Sequence, residues 1–123
     1  MLKLVELDKR VSLSQQMATK EGPVVLANVF SVAPEEADEL VEAWTVDANV
    51  LKAKPGFIST QLHRGIGGSS TFFNYAVWES VAAFRAAFSD PEFQTSLSRY
   101  PDSVVASPHL FRKVEVPGIS SGR

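Results

Sequence analysis

The order in which hydrophobic periodicity changes along the chain constrains its fold more than any other feature. A β-branched and aromatic run, VVLANVFSV, gives way at 33–54 to an apolar repeat with steps of three and four residues. Pro55 and Gly56 end that repeat. Two further strand-like runs, FISTQLHRGI and TFFNYAVWE, flank the turn sequence GGSS and predict a hairpin. A second helical run, SVAAFRAAF, and a last alternating run, HLFRKVEV, complete the pattern.

This order, βαββαβ, predicts an α+β fold of the ferredoxin-like class: a four-stranded antiparallel sheet with both helices on one face. The other face needs a cover that no remaining segment supplies, so we expect a homodimer formed through the open sheet face. Residues 1–22 are interpreted as an N-terminal extension, either a flexible arm or a strand lying on another subunit. The compact domain is expected at 23–117, and residues 118–123 are expected to form a flexible tail.

Composition excludes several classes of function. With 123 residues the chain has room for one core, and its net charge of −2 offers no basic surface for nucleic acid or an anionic membrane. The chain has no cysteine, and its two histidines lie in no ligand-spaced motif, so we expect no metal site. No apolar run reaches the length of a membrane span, and a cytoplasmic location is the expectation.

The third predicted strand carries polar residues on a face that should be apolar. Alternation places Phe72, Asn74 and Trp78 together. An unpartnered buried amide costs about 1–3 kcal/mol, so several such groups on one face indicate partners from a ligand or water. Each residue taken singly is more often structural, and a one-residue slip of the hairpin would reverse part of the set. If Gln61 pairs with Asn74, the face carries Asn28, Gln61, His63, Asn74 and Trp78.

Two stretches of sequence carry a family resemblance. KPGFISTQLHRG and FFNYAVWESVAAFRAAFSDPEF combine a P-G-F strand start, a histidine late in that strand and an N-Y-x-x-W-E-S run. This pattern resembles the antibiotic biosynthesis monooxygenase family over about Val24 to Val116. The resemblance implies a dimeric α+β barrel of ferredoxin-like subunits. The family includes cofactor-free monooxygenases of aromatic polyketides, haem-degrading monooxygenases and small quinol oxidases.

The resemblance assigns roles residue by residue. The strand asparagine and tryptophan of the polyketide monooxygenases fall on Asn74 and Trp78, and the strand histidine falls on His63. The family's helix tyrosine is replaced by Phe84, and its later arginine has only Arg99 near the aligned position.

The haem-degrading branch fits less well. Its first-strand asparagine matches Asn28, but its helix tryptophan and histidine would fall near Ala87 and Leu97. The sequence therefore disfavours haem degradation.

The function that the resemblance implies is oxygenation of an electron-rich aromatic small molecule (a phenol, anthrone or quinol) by O₂ without a cofactor. Asn74 and Trp78 would donate hydrogen bonds to the developing oxyanion, and His63 would accept a proton. The alternative is a non-catalytic dimeric module that binds a small ligand or haem, which the missing tyrosine and arginine support. The expected substrate-binding residues are Asn28, Phe30, Gln61, Phe72, Phe84 and Phe88.

Overall fold

The computed structural model describes residues 2–120, which form a five-stranded sheet with α-helices packed against it. Short 3₁₀ turns lie at Pro34–Glu36 and Leu97–Arg99. Within the described residues no helix is long and apolar enough to span a membrane. The elements in chain order are β1 Lys3–Leu4, α1 Leu13–Met17, β2 Val24–Ser31, α2 Ala37–Leu51, β3 Phe57–Arg64, β4 Thr71–Trp78, α3 Val81–Phe88, α4 Pro91–Ser96 and β5 Val105–Phe111.

The sheet confirms the ferredoxin-like prediction and adds one strand to it. Its order is β1-β5-β2-β4-β3, and the last four strands pair antiparallel as a βαββαβ unit requires. The added strand, β1, is only two residues long and pairs parallel to β5. Such a short strand leaves no period-two pattern in the sequence from which it could be predicted.

The two main helices form where the sequence places them. Pro34 and the acidic residues Asp38 and Glu39 favour the start of the first, and Leu40 on its apolar stripe is fully buried. Ser80 caps the second helix, α3, by accepting a hydrogen bond from the Ala83 N–H. Both helices therefore begin at local signals and pack one apolar side onto the sheet.

Gly56 lets β3 begin directly against α3. Its φ of 86° lies in the left-handed region, and a Cβ at this position would lie 2.4 Å from the Ala83 Cβ. Its carbonyl also accepts a hydrogen bond of 2.8 Å from the Glu79 N–H. The P-G-F sequence is thus a packing requirement between two elements.

The N-terminal segment packs on its own subunit, so both interpretations of it, as a free arm or as a strand on another subunit, are wrong. The Lys3 N–H donates to the Val104 carbonyl at 2.9 Å, and Leu13 is buried in the core. On α1, Gln16 accepts a hydrogen bond of 2.7 Å from the Leu110 N–H. The segment therefore closes the edge of β5, which would otherwise expose unpaired backbone groups.

The last strand begins and ends earlier than predicted, at Val105–Phe111 instead of 109–116. Pro108 is tolerated because of its position. The backbone carbonyls of Val104 and Ala106 point towards β1. Because backbone polar groups alternate in direction along a strand, the backbone nitrogen of Pro108 points to the same side. It lies beyond the end of β1, so its missing N–H costs the sheet no hydrogen bond. Of the predicted tail, residues 118–120 form a turn in which the Ile119 and Ser120 N–H groups donate to the Val116 carbonyl. Residues 121–123 lie outside the described residues.

Candidate active site

A mostly apolar cavity lies between the sheet and the helices. Side chains of β2 and β4 form one wall, α2, α3 and α4 form the other, and Leu2 and Leu4 of the N-terminal segment lie at its side. The cavity volume is about 70 Å³, which is room for several water molecules. A fused-ring ligand would need the walls to move apart, and one lining residue, Leu4, is half-exposed.

Three polar side chains of the adjacent strands β2 and β4 line this cavity. Asn28 and Asn74 are direct partners across β2 and β4. Within the described residues, the Asn28 Oδ1 and the Trp78 Nε1 are buried without a hydrogen-bond partner. The Asn74 Oδ1 accepts a hydrogen bond of 2.6 Å from the Thr60 hydroxyl, which fixes the orientation of the amide. Unpaired buried groups each cost about 1–3 kcal/mol, so the wall fits a ligand that supplies both an acceptor and a donor.

Aromatic rings continue the wall around the indole. Trp78 packs edge-on against Phe57 and Phe84, with ring centroids 5.4 and 5.9 Å away. Phe84 then contacts Phe88 at 5.5 Å, and Phe88 contacts Phe93 at the same distance. A continuous surface of flat rings favours a flat, apolar ligand.

Most of the residues predicted from sequence come together here. Phe72 is buried but lies in the neighbouring core cluster and does not line the cavity. The predicted residues that line the cavity are Asn28, Phe30, Asn74, Trp78, Phe84 and Phe88.

The predicted pairing of Gln61 with Asn74 is wrong. Asn74 pairs with Leu62, and Gln61 pairs with Tyr75, because an irregularity between Phe57 and Ser59 shifts the register by one residue. A shift of one residue turns every side chain beyond it to the other face. Gln61 and His63 therefore lie on the open face of the sheet. There the His63 Nδ1 is 3.3 Å from the Phe73 carbonyl oxygen, away from the cavity.

The structure adds a buried acidic group that the sequence interpretation missed. Asp47 of α2 lines the cavity, is 4% exposed, and accepts hydrogen bonds from the hydroxyls of Ser96 and Tyr100. Burial raises the pKa of the Asp47 carboxyl, and the two hydroxyls and Arg99 oppose that rise. Burial, and then the negative charge of Asp47, raise the pKa of the Tyr100 phenol. The signal in the sequence was Asp47 itself, seven residues after Leu40 on the apolar stripe.

No cluster of three or more metal-binding side chains occurs among residues 2–120. A ferredoxin-like α+β subunit with an apolar cavity and a few convergent polar groups has the features of a small-molecule-binding protein. The model of the family described as antibiotic biosynthesis monooxygenase matches residues 23–97. The chain belongs to this family.

Individual relatives agree with that assignment. Tetracenomycin-F1 monooxygenase of Streptomyces glaucescens is 41% identical over 70 residues, which are 56% of this chain and 62% of that protein. A heme oxygenase (mycobilin-producing) of Mycobacterium tuberculosis is 33% identical over 69 residues, 56% of this chain and 66% of that protein. The chain thus spans less than two thirds of either relative.

The solved structure of SnoaB, a cofactor-independent oxygenase from Streptomyces nogalater, has the same fold. It superposes with a TM-score of 0.69 at 24% identity, over 80% of this chain and 99% of that one.

Proposed function

We propose that this protein is a cofactor-independent monooxygenase that oxidises an electron-rich aromatic small molecule, a phenol, anthrone or quinol, with O₂. The observation that carries the proposal is the Trp78 N–H, which has no hydrogen-bond partner among residues 2–120 and lies in a cavity walled by aromatic rings. Family membership and the likeness to tetracenomycin-F1 monooxygenase support it.

An anthrone illustrates the balance of the reaction. Loss of a proton from its methylene carbon gives an electron-rich enolate, which can reduce O₂ without an external donor. A new C–O bond forms, the O–O bond breaks, and the methylene becomes a carbonyl. One oxygen atom remains in the quinone, and the other leaves as water with the two hydrogens of the methylene. The substrate supplies all the electrons.

The sheet wall has the groups that this chemistry needs at the enolate oxygen. The Trp78 N–H and the Asn74 amide N–H donate to that oxygen as its negative charge develops. The Asn28 carbonyl accepts from a hydroxyl of the substrate. Each donor of this kind is typically worth about 3 kcal/mol of transition-state stabilisation when the site is dry and preorganised.

Haem fits the cavity poorly. The protein side chains that hold haem iron are histidine, cysteine, methionine and tyrosine. Among the described residues that line the cavity, only Tyr100 belongs to this group, and its hydroxyl already donates to Asp47. A haem-binding module of this fold is therefore the weaker candidate.

The proposal includes a homodimer formed through the open sheet face. That face carries Val29 and Tyr75, which are 37% and 41% exposed, beside the half-buried Phe73. An apolar sheet face of this kind favours burial against a second copy. The prediction of a cytoplasmic location stays a prediction.

Oxygen uptake tests the function. Purified protein would be mixed with a panel of anthrones and hydroquinones in an oxygen electrode, with a thermal-shift measurement on the same compounds. We expect uptake and quinone formation with at least one fused-ring compound that also stabilises the fold. Stabilisation without uptake across the panel would favour the non-catalytic binding module instead.

A further inference from the structure

Asp47 is the most unusual group in the cavity. Its carboxylate is 4% exposed, and its hydrogen-bond partners are two neutral hydroxyls, those of Ser96 and Tyr100. Four effects act on the Asp47 pKa: burial, the two hydroxyl hydrogen bonds and the positive charge of Arg99, which is the weakest of them. A carboxylate buried among neutral partners destabilises a fold compared with an apolar residue of similar size. A buried carboxylate that destabilises the fold and lies at a cavity wall is typical of a functional site.

Titratable side chains are scarce around the ligand space. Among the described residues that line the cavity, only Asp47 and Tyr100 titrate. The phenol of Tyr100 is held in its neutral form, since burial and the adjacent Asp47 raise its pKa, and a neutral phenol is a weak base. His63, the base expected from sequence, lies on the opposite face of the sheet. In its charged form, Asp47 is therefore the group on the described cavity wall that can accept a proton.

Asp47 lies on the cavity wall opposite the proposed hydrogen-bond donors. Asp47 projects from α2 on the helix wall, and Asn74 and Trp78 project from β4 on the sheet wall of the same cavity. A flat ligand placed edge-on between the walls would have one edge towards Asp47 and the other towards the hydrogen-bond donors. In an anthrone, the acidic carbon and the carbonyl oxygen lie on opposite edges of the central ring.

We propose that Asp47 is the general base that removes the proton from the substrate, and this inference rests on the proposed oxygenase function. The C–H bond of the anthrone breaks, and the proton moves to an oxygen of the Asp47 carboxylate. The electron pair passes through the ring onto the oxygen that faces Trp78. The hydroxyls of Ser96 and Tyr100 position the carboxylate and oppose the rise in its pKa that burial causes.

This role has a signature in the pH dependence. Only the carboxylate is competent, so kcat/KM falls as the pH drops through the pKa of Asp47, which burial holds above the ordinary carboxyl range. The groups that face Asp47 from α4 and the turn after it are Ser96, Arg99 and Tyr100. Loss of the Ser96 hydroxyl removes a hydrogen bond that lowers the pKa of Asp47. The acid limb of the profile, which is the decline of kcat/KM at low pH, therefore moves to higher pH.

The test compares Asp47→Asn, Ser96→Ala and His63→Gln in oxygen uptake with an anthrone across a pH series. General-base catalysis typically contributes about 10²- to 10⁴-fold, so we expect kcat/KM of Asp47→Asn to fall by that factor and to lose its acid limb. Ser96→Ala retains the carboxylate and should shift the limb. A purely structural role for Asp47 would not produce that shift.

The outcomes separate the two proposals. No uptake by the wild-type protein with any compound of the panel overturns the oxygenase function and, with it, the role of Asp47. Uptake by Asp47→Asn at the wild-type rate and with the wild-type pH profile overturns the role of Asp47 alone. Loss of activity in His63→Gln with full activity in Asp47→Asn assigns the base to His63. If Asp47→Asn fails to fold by circular dichroism, an unshifted acid limb in Ser96→Ala is the refuting result.

Discussion

Replacing Trp78 with phenylalanine separates the chemical role of the indole from its packing role. The side chain is 1% exposed, packs against Phe57 and Phe84, and has an N–H without a partner in the described structure. Removing one donor to a developing oxyanion typically lowers kcat by about 10²- to 10³-fold, or roughly 2.7–4 kcal/mol. Because that charge develops mainly in the transition state, we expect the loss in kcat with little change in KM.

The stability of the same variant should change much less. The smaller ring leaves a cavity, and a large-to-small core substitution of a few atoms costs on the order of 1–3 kcal/mol. Trp78→Phe also removes a buried N–H whose unpaired state costs about 1–3 kcal/mol, so the two effects oppose each other. We therefore expect the free energy of unfolding to change by less than about 2 kcal/mol.

The assay is oxygen uptake for kcat and KM, with urea unfolding followed by circular dichroism. Tyr75→Phe is the matched control, because it changes an aromatic residue on the same strand but on the opposite face. A kcat within threefold of the wild-type value would refute the role of the indole N–H. Loss of activity in step with loss of folded protein would refute it as well.

Four further variants test other parts of the structure. Gly56→Ala should lose about 1–3 kcal/mol of unfolding free energy in urea, since φ is 86° and Ala83 blocks a Cβ; unchanged stability contradicts this geometry. Leu13→Ala should lose about 2–5 kcal/mol, whereas an N-terminal segment free in solution would show no effect. Tyr75→Arg should convert the proposed dimer to a monomer in sedimentation velocity, and a wild-type monomer would refute the proposed interface. The folded-state pKa of Asp47 lies above its unfolded value, so its stabilising contribution is present below the ordinary carboxyl pKa and is lost as pH rises through the raised value. Asp47→Asn should therefore gain unfolding free energy relative to wild type with rising pH over that window, and a constant difference excludes the raised pKa.

The helices and the hairpin could be predicted because their signals are local. The apolar stripe through Leu40, the Ser80 cap and the turn before β4 each act within a few residues, and tertiary packing agrees with them. Asn28, Asn74 and Trp78 followed from alternation alone, since β2 and β4 are regular along their length.

The remaining features depend on contacts that alternation does not encode. The irregularity between Phe57 and Ser59 places His63 on the sheet face opposite the predicted one. The start of β5 before Pro108 was not predicted, because the position of Pro108 is harmless only in relation to where β1 ends. The role of Asp47 needs Ser96 and Tyr100, which approach it only in the folded chain.

The most direct test of the central claim is the fate of isotopically labelled oxygen. An anthrone would be oxidised by the purified protein under ¹⁸O₂, and the quinone would be analysed by mass spectrometry with Trp78→Phe as the parallel variant. We predict one ¹⁸O atom in each quinone molecule and a corresponding loss of product in the variant. A quinone without label, or equal yields with and without the protein, would contradict the account.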